Sequence, residues 1–430
     1  MKYYLETYGC QMNEADSEIV AQIIERKGYR RTDEPQKADL ILVNSCTVRE
    51  KAESRAIARL SQFKGYKKDP EVKLGLLGCA VERGKDKIKE EYPFIDILLG
   101  PDSYREFDKI LEEANYPYQN FSLSNKELYE GISPQRTSDL NGWISIMRGC
   151  NQFCSYCIVP YTRGRERSKP LDTILKEAEE IAQEGIPQIT LIGQNVNAYD
   201  YADKGFGDVL EEVARIKDIE RIRYISPHPS DFNTRMIEIM AEYDKICNHI
   251  HLPLQAGSNR VLEKMNRNYT KEEFLDLVEN IRSIIPEVAL TTDIIVGFPG
   301  EKEEDYQETL EVMEKVEFDN AFMFQYSSRP GTYAAKNMED DIPYDIKNRR
   351  LEEVSSLQRK HSLEKNEQLI GQNKEVLIEG QSKKNKNEPV GRTEEDKLVI
   401  IKSGQPDKGE FINVKIKDIA GVSLFGTSLE

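Results

Sequence analysis

The sequence has little that would mark a membrane or secreted protein. It contains no apolar run of about eighteen residues, the length that a membrane-spanning helix needs. Its N-terminus, MKYYLETYGC, is too short and too polar to form a signal peptide. The seven cysteines are an odd number in a long chain, which is typical of a reducing compartment and not of a disulfide framework. We therefore expect a cytoplasmic protein that has no membrane partner.

An excess of basic residues is also missing. The chain has 60 lysines and arginines against 76 aspartates and glutamates, which gives a net charge of −16. This balance argues against a generally basic nucleic-acid binder, although it remains compatible with a local basic patch. With 430 residues the chain is too long for one ordinary domain, so we expect two or three.

The first part of the chain, residues 1–117, alternates short apolar runs with helical patterns. The runs are KYYLETYGC, DLILVNSC, VKLGLLGC and FIDILLG, and their alternation with helices predicts a parallel α/β sheet domain. The first three runs end at or near a cysteine, namely Cys10, Cys46 and Cys79. Because the carboxyl ends of parallel strands open onto one crevice, we expect these cysteines to be neighbours in space.

Three further segments follow this domain. Residues 118–140 are polar and rich in turn formers, which predicts a linker. Residues 141–368 resume the alternation with too few strand candidates for an eight-fold barrel. We therefore expect a partial (βα)6 barrel there, with functional groups at the carboxyl ends of its strands. Residues 369–430 change to short alternating strands separated by turns, which predicts a small β-barrel.

The stretch RGCNQFCSYCIVPYTRG holds Cys150, Cys154 and Cys157 in the spacing C-x3-C-x2-C. Thiolates are the ligands of iron–sulfur clusters, and a cubane of four irons usually takes four of them. Three thiolates therefore leave one iron open to a small molecule. Two alternatives stay open here: three unrelated loop thiols, or a zinc knuckle with a distant fourth ligand. The next cysteine along the chain, Cys247, is better explained as a buried free thiol.

A C-x3-C-x2-C loop after the first strand of a partial barrel resembles the radical S-adenosylmethionine (SAM) superfamily. The resemblance implies a 4Fe-4S cluster on Cys150, Cys154 and Cys157, with its open iron chelated by the amino and carboxylate groups of SAM. It also implies that these cysteines are catalytic, because the reduced cluster cleaves SAM to a 5′-deoxyadenosyl radical. The loop alone does not indicate the substrate.

The N-terminal cysteines indicate one particular family within this superfamily. The stretches TYGCQMNEADSE, NSCTVREKAESR and LLGCAVERG resemble motifs of the methylthiotransferase family within this superfamily. The family resemblance implies a second 4Fe-4S cluster on Cys10, Cys46 and Cys79, which presents sulfur to a carbon that the radical has activated. The resemblance spans the whole chain and includes a C-terminal RNA-binding β-barrel of the type called TRAM.

Two stretches, PYTRGRERS and LIGQNVNAY, are most similar to the family branch that modifies prenylated adenosine in bacterial tRNA. The implied reaction adds a methylthio group at C2 of N6-dimethylallyladenosine next to the anticodon. It would use two SAM molecules per turnover, one for the methyl group and one for the radical. Branches that act on threonylcarbamoyl-adenosine in tRNA, or on a ribosomal-protein aspartate, remain alternatives.

A rival hypothesis of another class is a non-catalytic iron–sulfur protein that binds RNA or carries electrons. Electron carriers usually have all four cluster ligands filled by protein, whereas each triad here would leave one iron open. The enzyme hypothesis is therefore preferred. It requires an external electron donor and a tRNA that carries a prenylated adenosine, and we expect the chain to act as a monomer.

The resemblance also implies which residues contact the small molecules. The superfamily contacts the SAM amino group at the end of the second strand, where this sequence has Gln194 and Asn195. Further SAM candidates at or near later strand ends are Ser226, Gln255 and Asp293. The turn GFPGE resembles the SAM-contacting fifth strand of the superfamily.

The segment TRGRERSK is a basic patch in an otherwise acidic chain. Because arginine forks match phosphate geometry, Arg163, Arg165 and Arg167 are predicted to contact tRNA phosphates beside the cluster. The alternative is a solvated loop. Phe153 and Tyr161 are candidates for stacking on an adenine, although aromatic residues beside cysteines are as often simple packing.

Overall fold

The computed structural model describes residues 1–47, 50–67, 71–113 and 115–429. The motif NSCTVREKAESR therefore lies partly outside the described residues, at positions 48 and 49. None of the helices in the described ranges is long and apolar enough to cross a membrane. The chain has the predicted fold class: an α/β protein whose N-terminal sheet and central barrel are followed by a small β-barrel.

The N-terminal domain is a parallel sheet flanked by helices. Its strands are β1 Lys2–Tyr8, β2 Arg30–Arg31, β3 Leu40–Ser45, β4 Lys73–Leu77, β5 Ile97–Leu99 and β6 Tyr118–Asn120. Its helices are α1 Gln11–Arg26, α2 Glu50–Phe63, α3 Cys79–Glu91 and α4 Phe107–Glu113. The strand order is β2-β1-β3-β4-β5-β6. The run LILVNS forms β3 in the middle of this sheet and is buried along its whole length, as a strand covered on both faces should be.

The predicted linker is packed against this domain. Strand β6 pairs with β5 and so extends the sheet beyond residue 117. Tyr129 and Ile132 are buried in the same apolar core as Leu42 and Leu99 of the sheet. Apolar residues spaced within a polar segment thus attach it to the sheet. The segment continues the first domain until the first strand of the barrel begins.

The central domain contains ten strands in the part that the structure describes. They are β7 Asn141–Ser145, β8 Met147–Arg148, β9 Arg167–Ser168, β10 Gln188–Ile192, β11 Asp200–Tyr201, β12 Lys204–Gly205, β13 Arg221–Tyr224, β14 His249–His251, β15 Ala289–Val296 and β16 Asn320–Gln325. The helices are α5 Val159–Arg163, α6 Leu171–Gln183, α7 Phe206–Ala214, α8 Thr234–Glu242, α9 Asn259–Lys264, α10 Lys271–Ile284, α11 Glu303–Val316, α12 Tyr333–Asn337 and α13 Tyr344–Glu367.

Six of these strands form the partial (βα)6 barrel. Strands β7, β10 and β13 make one parallel sheet, and β14, β15 and β16 make a second. A parallel bridge between Ile222 and Ile246 joins the two sheets. Apolar faces of the helices pack on the strands in one continuous core, for example Ile174 and Ile181 of α6. The prediction of a partial barrel is confirmed.

The C-terminal segment is a closed five-stranded barrel. Its strands are β17 Asn373–Gln381, β18 Pro389–Arg392, β19 Leu398–Ile401, β20 Phe411–Ala420 and β21 Ser423–Ser428. They are paired in the order β17-β18-β19-β21-β20. Alternate residues along the strands point inward, so that Val376, Ile378, Val414 and Ile416 form its core. The predicted small β-barrel is confirmed.

The small barrel sits against the amino ends of the central strands. Arg221, which begins β13, donates to the backbone carbonyl of Arg392 at the end of β18. Arg223 of the same strand donates to the backbone carbonyls of Thr393 and Glu394 in the β18–β19 turn. Just before β16, Asp319 accepts from Lys397 Nζ at 2.8 Å. The β-barrel therefore closes the end of the partial barrel that lies opposite the strand carboxyl ends.

The contact between Lys397 and Asp319 gives a prediction about stability. Both side chains are about one-tenth exposed, so Lys397→Met leaves a buried carboxylate without its cation. We expect the free energy of unfolding to fall by about 3 kcal/mol, measured as a shift of the urea midpoint.

The matched control is Lys402→Met, which breaks a more exposed ion pair with Glu388 on the same barrel and should leave the midpoint nearly unchanged. A negligible shift for Lys397→Met would mean that this contact does not hold the two domains together.

Candidate active site

The three N-terminal cysteines lie together at the carboxyl edge of the first sheet. Cys10 follows β1 and caps α1, Cys46 follows β3, and Cys79 begins α3 after β4. These three strands are neighbours in the sheet. A hydrogen bond from the Cys46 thiol lowers the pKa of the Cys10 thiol to about 6. Cys10 and Cys46 are thus in direct contact, as expected, and Cys79 follows the adjacent strand β4.

Two glycines make this close approach possible. A Cβ on Gly9 would lie 2.6 Å from Cys46 Cβ, and a Cβ on Gly78 would lie 2.4 Å from Asn44 Oδ1. Gly78 also has a φ of +90°, a conformation that side chains rarely adopt. Asn13 and Asn44 are fully buried and joined by a 3.0 Å hydrogen bond between their amides. The geometry of the strand ends therefore requires the glycines that precede Cys10 and Cys79.

The loop with Cys150, Cys154 and Cys157 follows β8 at the mouth of the central barrel. Gly149 turns the chain with a φ of +81°, and a Cβ there would collide with the Arg165 carbonyl. The Cys157 amide donates to the Cys154 carbonyl at 2.9 Å, which fixes the inner turn of the loop. Burial raises the pKa of the Cys150 thiol to about 12. Cys154 is buried, whereas Cys150 and Cys157 are partly exposed at the mouth of the barrel.

A buried ion network joins the two cysteine groups. Asp16 of α1 is fully buried and accepts from Arg148 at 2.8 Å and from Arg163 at 2.6 Å. Arg148 ends β8, just before the cysteine loop, and Arg163 ends α5, just after it. Arg163 also donates from Nε to the sulfur of Cys79 at 2.9 Å. One arginine thus connects the segment after the central loop to a cysteine of the N-terminal domain.

A second carboxylate extends this network. Asp102, which follows β5, has no exposed side-chain area and accepts from Arg167 at 2.5 Å. The same carboxylate lies 3.6 Å from Arg148 Nε. Arg148 is therefore shared between Asp16 and Asp102, and the five charged groups form one cluster at the interface of the domains. Breaking such a cluster is costly because a charge would remain buried without a partner.

The SAM candidates Gln194 and Asn195 follow β10 beside the cysteine loop. Gln194 Oε1 accepts from the Gly149 amide at 2.5 Å, so this side chain supports the loop. Asn195 Nδ2 donates to Asp231 at 2.7 Å. Asn195 Oδ1 is buried and has no hydrogen-bond partner within the described part of the chain. A free acceptor at this position fits the amino group of SAM.

The other SAM candidates line the same barrel but are less directly placed. Ser226, after β13, and Gln255, after β14, have positive φ values of 63° and 69°. Asp293 lies within β15, near its end at Val296, and accepts from His251 at 3.3 Å. Gln255 joins this strand through its amide, which donates to the Asp293 carbonyl. Their contact with SAM stays a prediction.

The predicted tRNA contacts at Arg163 and Arg167 conflict with their positions. Both guanidinium groups are buried and bound to Asp16 and Asp102, so neither can reach a phosphate without breaking an ion pair. The local positive charge compensates carboxylates that lie far away in the sequence. Only Arg165 is exposed, and the phosphate contact remains a prediction for this residue.

Arg165 belongs to an exposed group of aromatic and basic side chains beside the loop. Its guanidinium lies 4.2 Å from the centre of the Phe153 ring, which packs edge-on against Tyr161. Lys336 Nζ lies 5.9 Å from the Tyr161 ring, and Tyr161 is 42% exposed. This group can offer stacking surfaces and positive charge to a nucleotide.

Sequence reasoning missed several functional residues. Asp16 lies in the quoted motif TYGCQMNEADSE, but nothing in the sequence shows which arginines it binds. Arg267 Nη1 donates to the sulfur of Cys154 at 3.4 Å from a segment that carried no motif signal. A buried arginine therefore contacts one cysteine of each triad, and pairing across the chain could be found only from the structure.

The ligand chemistry of both cysteine groups suits iron–sulfur clusters. Within the described ranges, no three side chains among His, Cys, Asp and Glu are arranged to hold one metal ion. Each triad supplies three sulfur ligands and an arginine N–H bond to one sulfur, which suits an anionic cluster. His249 and His251 both hydrogen-bond Thr291 and are packing residues of the barrel.

Comparison with known proteins agrees with this architecture. Residues 144–313 match the Radical SAM superfamily, residues 2–100 match the Uncharacterized protein family UPF0004, and residues 367–429 match the TRAM domain. Among solved structures, the radical SAM methyltransferase TsrM from Kitasatospora setae has a TM-score of 0.59 at 15% identity, over 78% of this chain and 75% of that chain. The fold and the cysteine loop define a radical SAM protein.

Full-length relatives give the family within that superfamily. The tRNA-2-methylthio-N(6)-dimethylallyladenosine synthase of Porphyromonas gingivalis is 45% identical over 100% of this chain and 95% of its own length. The synthases of Thermoanaerobacter sp. and Bacteroides fragilis are 45% and 43% identical, over 100% and 99% of this chain and 93% and 95% of their own. The chain belongs to the family of these synthases.

The ion network predicts that Asp16→Asn strongly destabilises the protein. The substitution keeps the side-chain shape but removes the charge that Arg148 and Arg163 share, which leaves two buried cations underpaired. We expect a loss of about 3 to 5 kcal/mol in the free energy of unfolding, measured by urea denaturation of the full-length chain.

The control is Glu112→Gln, which removes the surface partner of Lys27 in the same domain and should have little effect. Similar, small effects of both substitutions would contradict a structural role for the network.

Proposed function

We infer that this chain is a tRNA methylthiotransferase that converts N6-dimethylallyladenosine to its 2-methylthio derivative. The observation that carries this inference is the 43–45% identity to synthases of this product over essentially the whole chain. Two three-cysteine groups beside one domain interface support the same chemistry, because one site can generate a radical and the other can deliver sulfur.

The residues divide between two sites. Cys150, Cys154 and Cys157 would hold the SAM-binding cluster, and Cys10, Cys46 and Cys79 would hold the second one. When bound, the first cluster and SAM supply a radical that can remove hydrogen from a carbon that is neither acidic nor open to ordinary nucleophiles. Asn195 Oδ1 provides an acceptor for the SAM amino group, and Gln194 holds the loop through the Gly149 amide. Both triads are held in place by buried side chains.

The substrate surface would combine the loop and the small barrel. The exposed group of Arg165, Phe153, Tyr161 and Lys336 lies beside the SAM loop and suits a nucleotide base and its phosphate. The β17–β18 loop of the TRAM domain carries three exposed lysines at 383, 384 and 386, which suit the tRNA backbone. Because the β-barrel lies at the amino ends of the central strands and the loop at the opposite end, we propose that one prenylated tRNA spans both surfaces.

The remaining partners follow from the reaction. Each turnover would use two SAM molecules, one as methyl donor and one as radical source, and an external donor would supply the electron. Because its substrate is tRNA, we place the reaction in the cytoplasm. The monomeric state stays a prediction.

The direct test of the function is nucleoside analysis of tRNA. Cells that lack this protein should accumulate N6-dimethylallyladenosine and lose its 2-methylthio derivative, because the methylthio step is blocked after prenylation. Mass spectrometry of digested tRNA measures both nucleosides.

Return of the gene on a plasmid is the control and should restore the product. A normal level of the 2-methylthio derivative without the protein would reject this function. Loss of the 2-methylthio derivative of threonylcarbamoyl-adenosine instead would favour the other tRNA branch.

Substitution of single cysteines should separate the roles of the two triads. Cys154→Ala should abolish SAM cleavage to 5′-deoxyadenosine, because that cluster passes the electron to SAM. Cys46→Ala should keep cleavage but stop methylthiolation, because only the sulfur-delivering site is damaged. Both products can be quantified by liquid chromatography after anaerobic reconstitution.

Cys247→Ala is the matched control, since this thiol is buried apart from both triads, and it should keep both activities. Iron content should be about eight per chain and about four when either triad is replaced by alanines. Equal loss of SAM cleavage in Cys154→Ala and Cys46→Ala would show that the roles are misassigned.

A further inference from the structure

Arg267 differs from every other buried arginine in the described residues. Six arginines are at least about nine-tenths buried, and Arg267 is 9% exposed. The other five form ion pairs with carboxylates: Arg148 and Arg163 with Asp16, Arg167 with Asp102, Arg221 with Glu375, and Arg350 with Glu301. No carboxylate of the described chain forms an ion pair with Arg267.

Within the described residues, the hydrogen bonds of Arg267 go to two neutral oxygens and one sulfur. Its Nε donates to the Tyr269 hydroxyl at 3.0 Å and its Nη2 to the Pro253 carbonyl at 2.9 Å. Its Nη1 donates to Cys154 Sγ at 3.4 Å. A guanidinium is permanently charged, and a buried charge without a counter-charge is strongly unfavourable. The group that can supply negative charge at this contact is the cysteine sulfur.

The position of Arg267 is fixed relative to the cysteine loop. The Ser155 amide donates to the Met265 carbonyl at 2.8 Å, and Ser155 Oγ donates to the Lys264 carbonyl at 2.8 Å. Asn266 Nδ2 donates to the carbonyls of Gln152 and Phe153. The segment before Arg267 is therefore bonded to the residues on both sides of Cys154, so the arginine cannot move away from that sulfur independently.

We propose that Arg267 is the counter-charge of the cluster on Cys150, Cys154 and Cys157 and that it raises the reduction potential of this cluster. The proposal rests on the proposed function only in taking that loop as the cluster site. Three thiolates on a 4Fe-4S core carry a net negative charge, and the electron from an external one-electron donor increases it by one. A fixed positive charge bonded to one ligand sulfur stabilises the reduced form more than the oxidised form. Arg267 is thus a positioning residue that acts through Cys154.

The test measures the midpoint potential of this cluster alone. A full-length chain with Cys10, Cys46 and Cys79 replaced by alanine carries the loop cluster as its one signal, which is followed by electron paramagnetic resonance during a dithionite titration. In Arg267→Gln, the ratio of reduced to oxidised cluster at a fixed potential should fall about tenfold, which is about 59 mV for one electron. Arg267→Lys keeps the charge and should stay within about twofold of the parent chain.

Tyr269→Phe is the matched control for packing, because it removes the hydroxyl that Arg267 contacts but keeps the charge. It should have the parent midpoint. An unchanged midpoint in Arg267→Gln, or an equal fall in Arg267→Lys, would overturn the proposal. If Arg267→Gln alone fails to assemble the cluster while Arg267→Lys loads normally, the requirement for charge is supported. The measurement needs no tRNA, so it remains informative if the substrate assignment fails.

Discussion

The buried ion network between Asp16, Asp102 and three arginines is the interaction on which the rest of the architecture depends. Arg148 and Arg163 flank the cysteine loop of the central barrel, and both form ion pairs with Asp16 of the first helix. Because these charges are enclosed at the domain interface, the two domains cannot separate without exposing or stranding them. The network thereby fixes one cysteine group relative to the other, and a reaction that passes a radical-activated carbon to a sulfur donor requires such a fixed arrangement.

The two sites use the same electrostatic device with different partners. Arg163 donates to the sulfur of Cys79 while its charge is paired with Asp16, whereas Arg267 donates to the sulfur of Cys154 and has no carboxylate partner in the described chain. Arg163, whose charge is neutralised by a carboxylate, should change the electrostatic potential at its cluster less than Arg267 does at the other. This difference agrees with the proposed roles, in which one cluster would pass an electron to SAM and the other would present sulfur.

The fold and the cysteine groups could be predicted because they depend on local pattern. Strand periodicity together with the rule that parallel strands end at one edge was enough to bring Cys10, Cys46 and Cys79 together. The arginines could not be predicted in the same way. Arg163 lies 147 residues from Asp16 in the chain. Two arginines of a basic segment that suggested phosphate binding are therefore paired with carboxylates inside the protein. The packing of the predicted linker could not be predicted for a similar reason, because Tyr129 and Ile132 pack on a sheet that is distant in the chain.

The central claim is that the two cysteine triads hold clusters facing each other across the Arg163–Asp16 contact. The most direct measurement is electron paramagnetic resonance of the fully reconstituted and reduced chain. If the claim holds, the two reduced clusters interact magnetically, and the spectrum is broadened relative to the sum of the spectra from chains in which one triad or the other is replaced by alanines. A spectrum equal to that sum would contradict the account, because it would place the two clusters too far apart to act on one substrate.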